Sequence, residues 1–423
     1  MTATSIATDV MDGVVARRRA IEALRSGVPS RDAVAAMGSG QAVIEDRFAS
    51  LREAAAACNP AGLLLGGGFG AGKSHLLEHL ARLALGAGFA VSRVVISKET
   101  PLHDPAKVFA AAAATAVTAG RPGPAIAEAA AALDVDGRGF AELLRWATSA
   151  GSALNERFSA TLALFAQVRQ RDAAYANAIV RFWSGDPIAT PELRRRLKEI
   201  GDVRPFLPPV AARELGRQRL RFAAKLLAAA GSAGWMILFD EVELIGRYSL
   251  QQRAKSYAEI ARWVRGDHGG HGVPIAAVLA MTDDYEAAVI TGRNDRELVP
   301  AKLRAKETPE AVALATEAQL GMRIIDREME LLTPPDEAEL KQAYTQLKDL
   351  HGEVYGWQPP DVAGLERLGA TRMRQYVRAW INEWDLLRLD PGYRPETEML
   401  DVSSDYREDP DLEESETAVA QSS

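Results

Sequence analysis

Four short apolar runs stand out along the chain: Leu63-Leu64-Leu65, Ala90 to Ile96 (AVSRVVI), Trp235 to Phe239 (WMILF) and Pro274 to Met281 (PIAAVLAM). Each is too short for a helix of ordinary length and is bounded by glycine, proline or polar residues, so each reads as a buried strand. A last strand is expected near Met322 to Ile325 or Met329 to Leu332. Between the runs the pattern is helical. Ile44, Phe48 and Leu51 fall at helical spacing in a segment from Val43 to Ala57, and Val14 to Leu24 carries another apolar face beside Arg17 to Arg19. From Ala106 to Ala230 no strand is evident, while Leu154, Phe158, Leu162 and Phe165 mark an amphipathic helix. This block far exceeds the usual connection of about 2–6 residues between strand and helix, so it reads as an inserted helical subdomain. After Thr333-Pro334-Pro335 the positions Leu340, Ala343, Tyr344 and Leu347 predict one helix, Pro359-Pro360 opens a short one, and Tyr376, Val377, Trp380, Ile381 and Trp384 line another. The expected division is an N-terminal helical segment 1–57, a core 58–330 carrying the insertion 106–230, a helical lid 331–392 and an acidic tail 393–423.

Composition narrows this picture. The 423 residues suffice for two or three domains, and the 47% hydrophobic content is that of a globular chain. No run of about 18 apolar residues offers a membrane span, and the N-terminus lacks the basic start and apolar core of a secretory signal. Cys58 is the single cysteine, which excludes an intramolecular disulfide and a cysteine-cluster metal site. The expected location is the cytoplasm. Charge is unevenly placed. Ten acidic residues and one basic residue between Glu396 and Ser423 give that stretch −9 against −7 for the whole chain, leaving the body near neutral at +2. Without apolar periodicity the stretch reads as a solvated, disordered tail. Arg17 to Arg19 read as a solvated face that could instead touch DNA or a neighbouring subunit, and the cluster Arg194-Arg195-Arg196 with Lys198, inside the insertion, is a local basic patch that DNA binding by the body would use.

Chemistry concentrates after the first strand. Gly67-Gly68-Phe69-Gly70-Ala71-Gly72-Lys73-Ser74 fits G-x-x-x-x-G-K-[ST], and His75 continues into an amphipathic helix. The glycines admit positive φ and let backbone N–H groups converge on phosphate. The new helix presents its positive end to the same anion. Lys73 would reach the β- and γ-phosphates and the Ser74 hydroxyl would ligate Mg²⁺, so the segment predicts a nucleotide with Mg²⁺. Trp235 to Phe239 ends in Asp240-Glu241, a pair suited to holding the Mg²⁺ hydration shell (Asp240) and to polarising the attacking water as a base (Glu241). Pro274 to Met281 ends in Thr282-Asp283-Asp284, where Thr282 or Asp283 could orient that water; Asp283 could equally cap a helix. Arg293, Arg296 and Arg304 follow, each a surface ion-pair former or a finger reaching a neighbouring subunit's γ-phosphate. His268 and His271 stand in a glycine turn and read as plain loop residues.

In this order, the P-loop, the acid pair after an apolar strand, the polar strand end, the arginine-bearing segment and the helical lid resemble the AAA+ ATPases. Within them, RRRAIEALRSGVPSRDAV, GGGFGAGKSHLLEHL, ISKETPLHDPAKVF, ILFDEVE and TRMRQYVRAWINEWDLL resemble the ATP-binding proteins of BREX-type bacterial phage-defence loci. The resemblance runs from about Arg17 to Leu389 and does not reach the tail. It implies ATP as the nucleotide and an α/β fold with a five-stranded parallel sheet, and it implies Lys73 and Ser74 on phosphate and Mg²⁺, Asp240 on Mg²⁺ and Glu241 as base. Arg372, or failing it Arg374, matches the lid arginine that senses the γ-phosphate. Thr282-Asp283 departs from the usual asparagine. Other phage-defence proteins, DNA and further copies of the chain are the implied partners.

Overall fold

A computed structural model describes residues 3–201, 208–268, 272–362, 373–393 and 406–409. The chain opens with α1 (Ala3–Ser26), α2 (Arg31–Met37) and α3 (Ala42–Ala56), followed by β1 (Ala61–Gly66), α4 (Lys73–Gly86) and β2 (Ala90–Val95). Seven described helices then intervene: α5 (Pro105–Thr115), α6 (Ala125–Ala132), α7 (Arg138–Thr148), α8 (Glu156–Val168), α9 (Ala173–Ser184), α10 (Thr190–Glu199) and α11 (Ala212–Ala229). The chain returns through β3 (Trp235–Asp240), α12 (Leu250–Arg265), β4 (Ile275–Met281), α13 (Asp295–Arg304), α14 (Pro309–Arg327) and the two-residue β5 (Glu330–Leu331), and ends in α15 (Glu337–Tyr355) and α16 (Met373–Leu389). Of the two positions expected for the last strand, Met322 to Ile325 lies within α14, and β5 forms inside the other. The helix expected at Pro359-Pro360 falls largely outside the described residues.

The five strands are parallel in the order β2-β3-β4-β1-β5. Parallel strands need covering on both faces, and the alternation along each strand supplies it. Trp235, Ile237 and Phe239 of β3, with Ile275, Ala277, Leu279 and Met281 of β4, enter the core shared with the inserted helices, α12 and α14. Met236, Leu238, Ala276, Val278 and Ala280 point the other way, onto Phe48 and Leu51 of α3 and Leu76, Leu77 and Leu80 of α4. The insertion is thereby part of the main core. Phe158, Phe182, Trp183 and Phe222 pack there as an aromatic cluster. Gly321 lets α14 cross α12 at backbone contact, since a Cβ there would collide with the Tyr257 carbonyl.

Packing groups the remaining helices differently from their order in sequence. Ala20, Ile21 and Leu24 of α1 and Ala33 of α2 share a separate core with Leu347 of α15 and Tyr376, Trp380 and Trp384 of α16. Arg25 bridges Asp385 at 2.8 Å and Tyr355 at 2.8 Å across the same contact. α1, α2, α15 and α16 are therefore one module, whereas α3 belongs to the sheet.

One buried ionic cluster joins the insertion to the sheet-covering helices. Glu259 of α12 is buried and accepts from Arg217 of α11 at 2.8 Å and from Arg262 at 2.6 Å, with His268 at 2.8 Å. The His268 ring stacks on Trp263 at 4.0 Å, so this histidine is a buried partner and not a plain loop residue. Burial pushes the Glu259 carboxyl up, but His268, Arg262 and Arg217 outweigh it and hold it down at about 2, below its ordinary 4.5. A lowered folded-state value means that the contribution is complete above about pH 4.5 and is lost as pH falls toward 2. Glu259→Gln should cost about 3 kcal/mol at pH 7 by leaving the arginines uncompensated. Urea midpoints measured from pH 7 to pH 3 should show a shallower acid decline in Glu259→Gln than in wild type.

Candidate functional site

The site lies at the carboxyl ends of β1, β3 and β4. The loop leaving β1 turns through Gly70 (φ 81°) and Gly72 (φ 105°), conformations that a side chain would strain. Gly72 is the first turn's flank, and no side chain caps α4. Its leading N–H groups are thus left for an anion. Lys73 is buried and donates to the carbonyls of Gly67 at 2.7 Å and Gly68 at 3.2 Å, folded back across the loop that it would share with phosphate. Ser74 stands in the first turn of α4, Ala71 lies in the loop, and Phe69 is exposed at its tip. His75 has a different task for its ring, which bonds the Gly38 carbonyl at 2.7 Å and ties α4 to the end of α2.

β4 lies between β1 and β3, so the end of β4 separates the loop from the acid pair. Gly66 pairs in register with Met281, and the Gly67 N–H donates to the Met281 carbonyl at 3.2 Å. Asp240 ends β3, nearly buried, with its Oδ1 accepting from the Glu241 N–H at 3.0 Å. Glu241 is held at φ 58°, left-handed for a residue with a side chain, a strain of about 1–3 kcal/mol that residues at functional sites often carry. Its carboxyl is raised, first by desolvation and then by the charge of Asp240, with Lys73 opposing. Thr282 is buried, while Asp283 and Asp284 are exposed. Asp283 approaches the loop at Gly68, whereas the Thr282 hydroxyl bonds the Tyr406 hydroxyl.

Sequence reasoning missed Glu243. Its carboxyl is raised by burial, feels Lys73, Asp240 and Glu241, and its Oε2 has no hydrogen-bond partner. The signal was present in the run Asp240-Glu241-Val242-Glu243, where two residues on from Glu241 a second acid returns toward Lys73. The candidate arginines among the described residues are engaged within the chain. Arg296 pairs with Glu286 at 2.6 Å and Asp326 at 3.2 Å, Arg304 bonds Gln319 at 2.7 Å, and Arg293 bonds the Tyr406 carbonyl. Arg374 bonds the Gly27 carbonyl, on the end of α1. Arg372 lies outside the described residues, as does His271. In the basic patch of α10, Arg195 pairs with Glu192 at 2.6 Å and Glu199 at 2.7 Å, and Arg196 with Asp172 at 2.8 Å, so carboxylates offset much of its charge.

A family sequence model described as BREX system ATP-binding protein BrxC/D matches residues 15–129 and 147–285. The chain belongs to this family. No curated protein and no solved structure matches it. Membership of the BREX ATP-binding family supports ATP binding and a phage-defence setting for the chain. The matched residues include the loop, Asp240-Glu241 and Thr282, and stop before Arg293, α15 and α16. Among the described residues no helix is long and apolar enough to cross a membrane, and no cluster of three histidine, cysteine or acidic side chains could hold a metal by itself. Lys73→Ala in this BREX ATP-binding chain should weaken binding of a fluorescent ATP analogue at least about tenfold, the order of a lost charge-assisted phosphate contact. Its melting temperature should stay within a few degrees of wild type, because the amine bonds loop carbonyls of Gly67 and Gly68 and no group of the hydrophobic core.

Proposed function

We propose that the chain is a Mg²⁺-dependent ATPase of AAA+ architecture, hydrolysing ATP to ADP and phosphate as a motor or switch in a DNA-associated phage-defence complex. The observation that carries this reading is the parallel β3-β4-β1 arrangement. It brings Lys73 and Ser74 to the same sheet edge as Asp240 and Glu241, from positions far apart in sequence. The donor set suits Mg²⁺, which prefers few protein ligands and keeps its waters and substrate phosphates. Ser74 and Asp240 would hold it, and it would neutralise charge on the phosphate oxygens. Lys73, released from the loop carbonyls, balances charge on the β- and γ-phosphates. Glu241 accepts the proton of the attacking water. Thr282 or Asp283 orients that water from the end of the intervening strand.

A full AAA+ cycle adds an arginine in trans within an oligomer, for which Arg293, Arg296 and Arg304 are the candidates, and a lid arginine, Arg372. Other phage-defence proteins and DNA are the partners that such motion would act on. A second reading, a nucleotide-gated scaffold or initiator-like loader without turnover, draws support from the engagement of all three candidate finger arginines within their own chain. Glu241→Gln separates the two. As an ATPase the wild type should release phosphate at least about 100-fold faster than Glu241→Gln, the usual scale for a lost general base, with ATP affinity within threefold or so. Equal phosphate release by both forms, with DNA and partners supplied, would leave the scaffold.

A further inference from the structure

Tyr406–Asp409, inside the stretch expected to be a solvated tail, packs on the core beside the candidate site. The Tyr406 hydroxyl donates to Asp284 Oδ1 at 2.7 Å and bonds the Thr282 hydroxyl, which leaves Thr282 as the donor in that second bond. Its ring meets the buried Tyr285 edge-on, with centroids 5.8 Å apart. Its carbonyl accepts from Arg293. Glu408 accepts from Arg253 at 2.7 Å and from Arg293 at 3.4 Å. The Asp409 carboxylate accepts from Arg247 at 2.7 Å, and its N–H donates to the Arg247 carbonyl at 3.1 Å. The groove itself is rigidly built. Arg253 is buried, grips the equally buried Asp295 at 2.8 and 2.9 Å, and bonds the Tyr248 carbonyl at 2.7 Å. Tyr257 completes the support through Asp295 at 2.7 Å.

We propose that Arg247, Arg253, Arg293, Thr282 and Asp284 form a docking groove for the chain's own segment 406–409, and that the docked segment holds ATP turnover down until it is displaced. The proposal rests on the hydrolysis reading above. Two groups of that reading are committed elsewhere while the segment is bound. The Thr282 hydroxyl donates its hydrogen bond to the Tyr406 oxygen instead of to a water, and the Arg293 guanidinium is occupied by the Tyr406 carbonyl and Glu408. The occupant is fitted to the groove by charge, two carboxylates and a carbonyl against three guanidinium groups, and by the tyrosine that spans the strand end. Displacement would come from a surface that competes for the same arginines, such as an acidic segment of a defence partner.

The test uses the full chain. Tyr406→Ala combined with Glu408→Ala removes the side-chain contacts to Thr282, Asp284, Arg253 and Arg293, leaving the main-chain carbonyl of residue 406 to Arg293, and Glu413→Gln removes the same single charge elsewhere in the tail. Amide hydrogen exchange reads docking, and phosphate release against the Glu241→Gln background reads turnover. The Asp409 amide should be protected in wild type and in Glu413→Gln, and exposed in the double variant. Phosphate release by the double variant should rise about tenfold, the gain when a competent form held at roughly one part in ten becomes the major one. An unprotected Asp409 amide in wild type would overturn the groove. An exposed segment with turnover measurable but unchanged would overturn the restraint while leaving the ATPase reading intact. No phosphate release by any form, with the exchange pattern as expected, would overturn hydrolysis and restraint together and leave the groove standing.

Discussion

The pairing of β4 with both β1 and β3 is the contact on which the candidate site depends. Every functional group at the sheet edge is delivered by a strand that ends at the same level, and the in-register ladder from Ala61–Ala276 to Gly66–Met281 sets that level. A shift of one residue in β4 would turn Thr282 to the opposite face and carry Asp283 away from the loop, because side chains alternate along a strand. Such a slip is opposed by burial on both faces: Ile275, Ala277, Leu279 and Met281 fit one core and Ala276, Val278 and Ala280 the other. The alanines matter as much as the large residues, since they leave room for Phe48 and Leu77 beneath the strand.

Electrostatics around the edge follows from the same packing. Asp240, Glu241 and Glu243 converge near Lys73 in partly desolvated surroundings, which raises the carboxyls of Glu241 and Glu243. A cluster of acids at a dry strand end is unfavourable in the free chain and becomes favourable once cationic charge arrives. The Glu243 oxygen without a partner and the strained Glu241 backbone belong to that same unsatisfied arrangement. Beneath it, the Arg253–Asp295 pair and the ion pairs of Glu259 with Arg217 and Arg262 balance buried charge and hold α12 in place.

Much of this was legible in sequence because the signals are local. The apolar runs at Leu63, Ala90, Trp235 and Pro274 need no partner to be recognised as strands, and the glycine–lysine–serine spacing encodes its own backbone. What escaped was set by distant contacts. The union of α1 with α16 depends on a core that Ile21 and Trp384 share from opposite ends of the chain. His268 looked like a loop residue although its partners are near in sequence, because the glycines after it hide the fold-back onto Trp263 and Glu259 of α12. β5 is two residues long, too short for any period, so the sequence placed it only as one of two alternatives, and the other, Met322 to Ile325, is buried within α14. Tyr406 lacks apolar neighbours, so its place on the groove is written in the arginines of three other elements.

The measurement closest to the central claim replaces Mg²⁺ with Mn²⁺ and follows it by electron paramagnetic resonance in the presence of ATP. The account predicts one bound Mn²⁺ per chain carrying ³¹P hyperfine coupling, with binding weakened in both Ser74→Ala and Asp240→Asn while the nucleotide still binds. Unchanged Mn²⁺ binding and coupling in both variants would mean that the ends of β1 and β3 do not serve one nucleotide, and would contradict the account.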